Sequence, residues 1–469
     1  MLRLFCALLF LCTCSFGAVA QEGSSLVLDT TRAVIVTEIL FDGNKLTKER
    51  ILLREMSFKA GDKLYWSNLR AALEQSSNNL MNLELFNFVE AEPIPVGEGE
   101  VLVLFTLQER WYIYPVPIFE IAETNFNTWW ENRELRWLNY GISVKHKNFR
   151  GLNQNLAFMA RFGYTRRFSA SYSIPNLNKK QTLGLELAAG YFENNELVWN
   201  TFGNERLFYN NPEDKARRWF EYRAGLTYRE NIFTRHTLNL SFHDVTVNDT
   251  VPVLNPEYLP SPGSRAQFLR VSYNLSFDNR DYRRYPLRGI LLYAHFQQDG
   301  LGLINRDGFN LFTTQASYRH HHKLSDRWYV AHALTGKVNW SRPPYYLVNA
   351  LGYGHFVRGY EMFVIDGTRF GLLQSNLKYE VLKPKTISLP MMPSQFSETF
   401  IAVYANLFFD AGYVHGPLFA DVNSLVNEYL YSMGLGLDVV SYYDKVMRVE
   451  GSINGLGRAA VFVHFTQSF

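Results

Sequence analysis

From Trp111 to Phe469 the chain is a succession of short runs in which apolar and polar residues alternate, and no apolar run after residue 20 is long enough for a spanning helix. In "EYRAGLTYR", Tyr222, Ala224, Leu226 and Tyr228 share one face, while Glu221, Arg223, Thr227 and Arg229 share the other. "TLNLSFHD" sets Leu238, Leu240 and Phe242 against Asn239, Ser241 and His243, and "LYSMGLGLDV" sets Tyr431, Met433, Leu435 and Leu437 against Ser432, Gly434, Gly436 and Asp438. Ionised groups are costly in lipid, so the polar face is expected to line water. Aromatic residues make up 16% of the chain. An aromatic-rich chain without spanning helices can still cross a bilayer as a closed barrel, where every backbone polar group is paired. A soluble β-sandwich also alternates, but it turns its apolar face into a dry core and rarely runs strands this long or this aromatic.

Counting the runs gives sixteen: 111–124, 137–148, 153–164, 166–175, 182–194, 218–229, 233–246, 266–277, 288–299, 307–322, 325–339, 369–382, 397–414, 428–440, 445–455 and 458–469. An even number keeps both ends of the barrel on one side of the membrane, which for an exported bacterial protein is the periplasm. Most connections on that side are short, although 383–396 is long. The long stretches 195–217, 247–265 and 340–368 fall on the outer side.

The first twenty residues have the layout of a secretory signal peptide: Arg3, an apolar run from Leu4 to Leu11, and Ala18-Val19-Ala20 as a cleavage site. Cys6, Cys12 and Cys14 all fall within it, so the mature chain has no cysteine for disulfides, thiol catalysis or metal binding. A formal net charge of +3 implies no polybasic surface and no nucleic-acid partner. After a short linker over 21–32, residues 33–110 change pattern. "AVIVTEILFDGN" reads as a strand, Thr47 as the N-cap of a helix over "TKERILLREM", and "WSNLRAALEQSSNNLMNL" as a second helix with Leu69, Leu73, Leu80 and Leu83 at helical spacing. Two more strands, "FNFVEAEPIPV" and "EVLVLFTLQER", complete a small β-α-α-β-β domain. The expected fold is therefore a sixteen-stranded antiparallel membrane barrel over 111–469 behind one small α+β domain.

This organisation resembles the BamA/TamA superfamily of outer-membrane assembly and translocation barrels, with a single POTRA domain in front. Val357-Arg358-Gly359-Tyr360 matches that family's V-R-G-[FY] signature in the loop between strands eleven and twelve, where the count puts residues 340–368. Phe408-Phe409-Asp410-Ala411-Gly412 matches its F-x-D-x-G on strand thirteen. The closing "VFVHFTQSF", with Val463, Phe465 and the terminal Phe469, is similar to the C-terminal signal of such barrels, although Gln467 departs from it. The resemblance implies a loop folded into the lumen with Arg358 paired to a wall acid. Alternation puts Phe408, Asp410 and Gly412 on the lumen face, and Gln374, Asn376, Lys378 and Glu380 on the polar face of strand twelve. Asp410 is the first acceptor expected for Arg358 and Glu380 the second. Gly359 is expected to let the loop backbone approach the wall, with Gly412 leaving room opposite.

The sequence has no G-x-S-x-G elbow, P-loop or H-E-x-x-H, so no enzyme and no cofactor is expected. His320-His321-His322 lies on a strand whose neighbours point to opposite faces, which argues against a metal site. Trp129-Trp130 reads as an interface anchor. The resemblance implies a protein of the bacterial outer membrane with its POTRA domain in the periplasm. It would act as an assembly or insertion factor, with the lipid bilayer, unfolded barrel or secreted clients and other assembly subunits as partners. The alternative is a dedicated secretion pore or passive channel. Secretion relatives usually carry a plug helix and two POTRA domains, and residues 21–32 are too short for such a plug. The general assembly machine carries several POTRA domains, which leans the expectation toward an accessory or specialised factor.

Overall fold

The computed structural model describes residues 32–121, 138–211, 214–304, 309–388, 398–441 and 445–466. Residues 1–20, expected as a signal peptide, and Trp129, Trp130 and Phe469 lie outside them. The N-terminal domain runs β1 (Ala33–Asp42), α1 (Glu49–Leu53), β2 (Lys63–Tyr65), α2 (Trp66–Met81), β3 (Phe86–Gly97) and β4 (Glu100–Glu109). Its sheet has the order β2-β1-β4-β3, with β1 and β4 parallel. Alternation on β4 buries Val101, Val103, Phe105 and Leu107, and helical spacing on α2 turns Leu69, Leu73 and Leu80 onto them. The β-α-α-β-β order gains one short strand, β2, which pairs antiparallel with the start of β1. Thr47 does not cap α1; that helix begins at Glu49 without a side-chain cap. Its hydroxyl instead donates to Glu109 Oε1 at 2.5 Å and accepts from Asn148 Nδ2 at 2.8 Å, which ties the domain to the barrel.

The barrel strands are β5 (Ile113–Ile121), β6 (Leu138–Phe149), β7 (Gln154–Gly163), β8 (Thr165–Ile174), β9 (Leu183–Asn194), β12 (Arg217–Arg229), β13 (Thr234–Val247), β14 (Arg265–Asp278), β15 (Gly289–Asp299), β16 (Leu311–Lys323), β17 (Trp328–Asn339), β18 (Arg369–Ser388), β19 (Glu398–His415), β20 (Tyr429–Ser441), β21 (Lys445–Asn454) and β22 (Ala459–Thr466). They form one antiparallel sixteen-stranded sheet in chain order, with β5 and β22 at its ends. Each expected run corresponds to one strand. Their outer faces carry the exposed apolar residues, such as Leu238 and Leu240 on β13 and Tyr431, Met433, Leu435 and Leu437 on β20. Their inner faces carry buried polar ones, such as Ser432 and Asp438. Among the described residues no helix is long and apolar enough to cross a membrane.

The long connections gather at the end of the barrel away from the N-terminal domain. One folds into a separate hairpin, β10 (Glu196–Phe202) with β11 (Glu205–Asn210), and another carries the short helix α3 (Thr250–Leu254). Loop 340–368 bonds both: the N–H groups of Tyr345 and Tyr346 donate to the carbonyls of Glu257 and Tyr258 at 2.9 Å, and that of Val364 to Asn204 at 2.9 Å. At the other end, Arg229 holds Glu55 by two bonds of 2.6 Å, and Lys147 meets Glu84 at 2.7 Å.

Candidate functional site: a luminal ion network

Loop 340–368 enters the sheet's concave side, and the three motif positions of β19 receive it. Phe408, Asp410 and Gly412 are spaced by two, so all point inward. The Phe408 ring lies under Arg358, with the guanidinium carbon 3.9 Å from its centroid. Asp410 accepts from Arg358 Nε at 2.9 Å, from Nη2 at 2.5 Å and from the Arg358 backbone N–H at 3.1 Å. Gly412 leaves the space that Val357 fills: a Cβ there would lie 2.7 Å from Val357 Cγ2. Gly434, opposite Phe408 in register, likewise makes room for the Phe408 ring.

The loop motif is built to match. Gly359 has φ +85°, a left-handed conformation, and a Cβ on it would meet Ser452 Oγ at 3.1 Å. Its carbonyl accepts from Asn454 Nδ2 at 2.7 Å. Val357 and Tyr360 are buried in an apolar cluster with Leu351, Ile365, Phe370 and Leu430. Arg358 and Asp410 are 3% and 0% exposed, so the pair is held away from solvent. Beside it, burial pushes the carboxyl of the loop residue Glu361 up to about 7.

Glu380 is not the second acceptor. It lies four residues along β18 from Asn376, roughly 14 Å toward the N-terminal domain at the rise of a strand, and accepts from the Tyr404 hydroxyl at 3.5 Å. Arg358 Nη1 turns instead to Asn376 Oδ1 at 2.8 Å and to Glu450 Oε1 on β21 at 3.2 Å. Glu450 also faces Arg448, 3.6 Å away, and Arg448 grips Asp438 by bonds of 2.6 and 2.9 Å. Asp438 accepts a further bond of 2.8 Å from the hydroxyl of Tyr285, which stands on the turn between β14 and β15. Lys378 Nζ lies 4.2 Å from the centre of the Tyr285 ring. Asp438 was visible on the polar face of "LYSMGLGLDV"; the same alternation in "KVMRVEGSIN" marks Arg448 and Glu450, but it does not say which carboxylate meets the loop.

Of the C-terminal positions, Val463 is on the exposed apolar face and Phe465 pairs in register with Met447. His321 points inward while His320 and His322 lie on the opposite face, their rings tilted and 6.0 Å apart.

Two family models match this chain. One, the POTRA model described as a surface antigen variable number repeat, covers residues 34–110. The other, the Omp85 superfamily domain, covers residues 148–441, more than half of the sequence. The chain belongs to the Omp85 superfamily. Its barrel is therefore an outer-membrane barrel, and its N-terminal domain is a POTRA domain. Among solved structures, CdiB from Escherichia coli aligns with a TM-score of 0.53 at 14% identity, over 92% of this chain and 75% of that one. BamA from Haemophilus ducreyi lacking POTRA domains 1-3 aligns with a TM-score of 0.48 at 15% identity, over 92% and 83% of the two chains. No curated protein matches the sequence.

Proposed function

We propose that this Omp85 protein is an assembly or insertion factor that passes client strands through the seam between β5 and β22, with its POTRA domain in the periplasm. The observation that supports this reading is the contrast between a filled lumen and an open-ended sheet. The lumen is entered from one end by loop 340–368, held by the buried Arg358–Asp410 pair, and from the other by the turn bearing the buried Tyr285. Passage along the barrel axis requires both to leave. Among the described residues, β5 pairs only with β6 and β22 only with β21, so each presents backbone groups for pairing with another strand. No nucleotide is required, because burying apolar strand faces in lipid drives insertion. Depletion of the protein followed by a proteomic survey of the outer membrane tests the reading. Loss of many barrels is the expected result. Loss of a single secreted partner assigns the protein to dedicated secretion, and a change in small-solute uptake alone overturns both.

A further inference from the structure

Where the POTRA domain meets the mouth of the barrel, a cavity of about 360 Å³ lies between α1 and α2 on one side and the inner faces of β12 and β13 on the other. That volume is within the ordinary range of ligand sites. Its lining holds four arginines, Arg54, Arg229, Arg235 and Arg283, against two carboxylates, Glu55 and Glu186. Both carboxylates are engaged: Arg229 holds Glu55 by two bonds of 2.6 Å, and Arg223 lies 3.4 Å from Glu186. Arg283 is 3.0 Å from Asp278, a residue that Arg280 also binds. Two cations remain in excess. Among the described residues Arg54 has only the shared Glu55 at 3.6 Å, and its buried Nη1 makes no hydrogen bond. Arg235, exposed to the cavity, forms no ion pair among the described residues. Burial, reinforced by the charge of Arg229 and opposed by Glu55, lowers the pKa of Arg54.

We propose that this cavity binds the carboxylates of an acidic stretch of polypeptide at the junction of the POTRA domain and the barrel. An anion there would pair the surplus guanidiniums by charge-assisted, bidentate bonds. The cavity opens on the inner faces of β12 and β13, whereas the lipid-facing residues of those strands are Tyr222, Leu226, Tyr228 and Leu238. A phospholipid headgroup in the bilayer does not reach the inner face, and a chain entering the barrel mouth does. The inference rests on the protein-handling reading and names the chemistry of one client contact.

The test uses the full-length protein in a neutral detergent and a fluorescent hexaglutamate peptide, with hexalysine as the charge control. Fluorescence anisotropy is expected to show hexaglutamate binding that falls as salt rises. The Arg54→Gln/Arg235→Gln double variant should bind about tenfold more weakly or worse with an unchanged unfolding temperature. Arg229 is left intact because it clamps Glu55. Should the double variant fail to fold, Arg235→Gln alone carries the test, since Arg235 makes no ion pair among the described residues. Equal affinity in the variants, no binding to the native protein, or equal binding of hexalysine overturns the proposal. If inorganic pyrophosphate binds in an arginine-dependent way and hexaglutamate does not, the site takes a small anion and the polypeptide assignment falls. The assay contains no client machinery, so its failure leaves the depletion experiment to judge the broader function separately.

Discussion

Two segments enter the lumen from opposite ends, and they are held by different means. Loop 340–368 comes from the far end and is fixed without the POTRA domain: Arg358 is buried on the acids of β19 and β21, an apolar cluster surrounds Val357 and Tyr360, and neighbouring outer connections bond its backbone. The turn between β14 and β15 comes from the POTRA end and is shared between wall and domain. Tyr285 binds Asp438, while Asn82 and Glu84 of the POTRA domain hold Asp281, Arg283 and Arg284 just before it. The far-end insertion is thus an internal property of the barrel, whereas the near-end one depends on where the POTRA domain sits. Between them runs an unbroken row, Glu450–Arg448–Asp438.

The largest effect is expected on the wall-held loop. Asp410→Ala leaves Arg358 buried without its main counter-ion, a loss of about 3–5 kcal/mol. Heat-modifiable gel mobility should show a lower unfolding temperature, and protease should reach loop 340–368. Arg358→Ala should do the same, and the double variant little more. Additive defects would break the pairing.

Next comes Glu361, whose carboxyl burial raises to about 7. Its folded value lies above the ordinary 4.5, so its contribution to the seated loop is full below pH 4.5 and is lost as pH rises through 7. The span amounts to roughly 3 kcal/mol at most. Glu361→Gln should flatten this dependence in pH-resolved proteolysis of the loop, leaving the near-end turn unaffected. A native-like pH dependence in the variant would remove Glu361 as its source.

Tyr285→Phe should cost about 1–3 kcal/mol by leaving Asp438 one donor short. It should expose residues 279–288 to protease while loop 340–368 stays in place. Combined with Arg358→Ala in a double-mutant cycle, it should show a coupling of about 0.5 kcal/mol or more through the shared row. Full additivity would mean that the two insertions are energetically separate.

The smallest effect concerns the domain contact. Burial opposes the charged form of Glu84, but Lys147 and Arg284 outweigh it and hold the carboxyl below its ordinary value. This contribution is present above pH 4.5 and is lost as pH falls through the depressed value. Glu84→Gln should weaken docking by about 1 kcal/mol, detectable as faster cleavage between POTRA domain and barrel with no change in loop 340–368.

The strands were legible because a strand in a barrel wall has one face in lipid and one in the lumen, and that division is written as alternation. The reading fails where alternation itself breaks. β18 continues to Ser388 rather than ending near 382, because register shifts at Glu380/Leu382 and Leu382/Lys385 interrupt its period. The β10–β11 hairpin was hidden inside a long connection, since among the described residues its strands pair only with each other. The short strand β2 offers three residues, too few to show any period.

At the site, the sequence by itself determined the face. Arg358 precedes a glycine on a long loop, and Asp410, Glu380, Arg448 and Glu450 all alternate onto the lumen side. The tertiary structure alone decided the height and the partner. Alternation repeats every two residues and is the same at every level of the barrel, so it cannot tell Glu380 from Glu450. Register sets how far along its strand each acid stands, and the curl of the sheet brings β21 to the loop. Glu450 therefore stands level with Arg358, while Glu380 lies well below it.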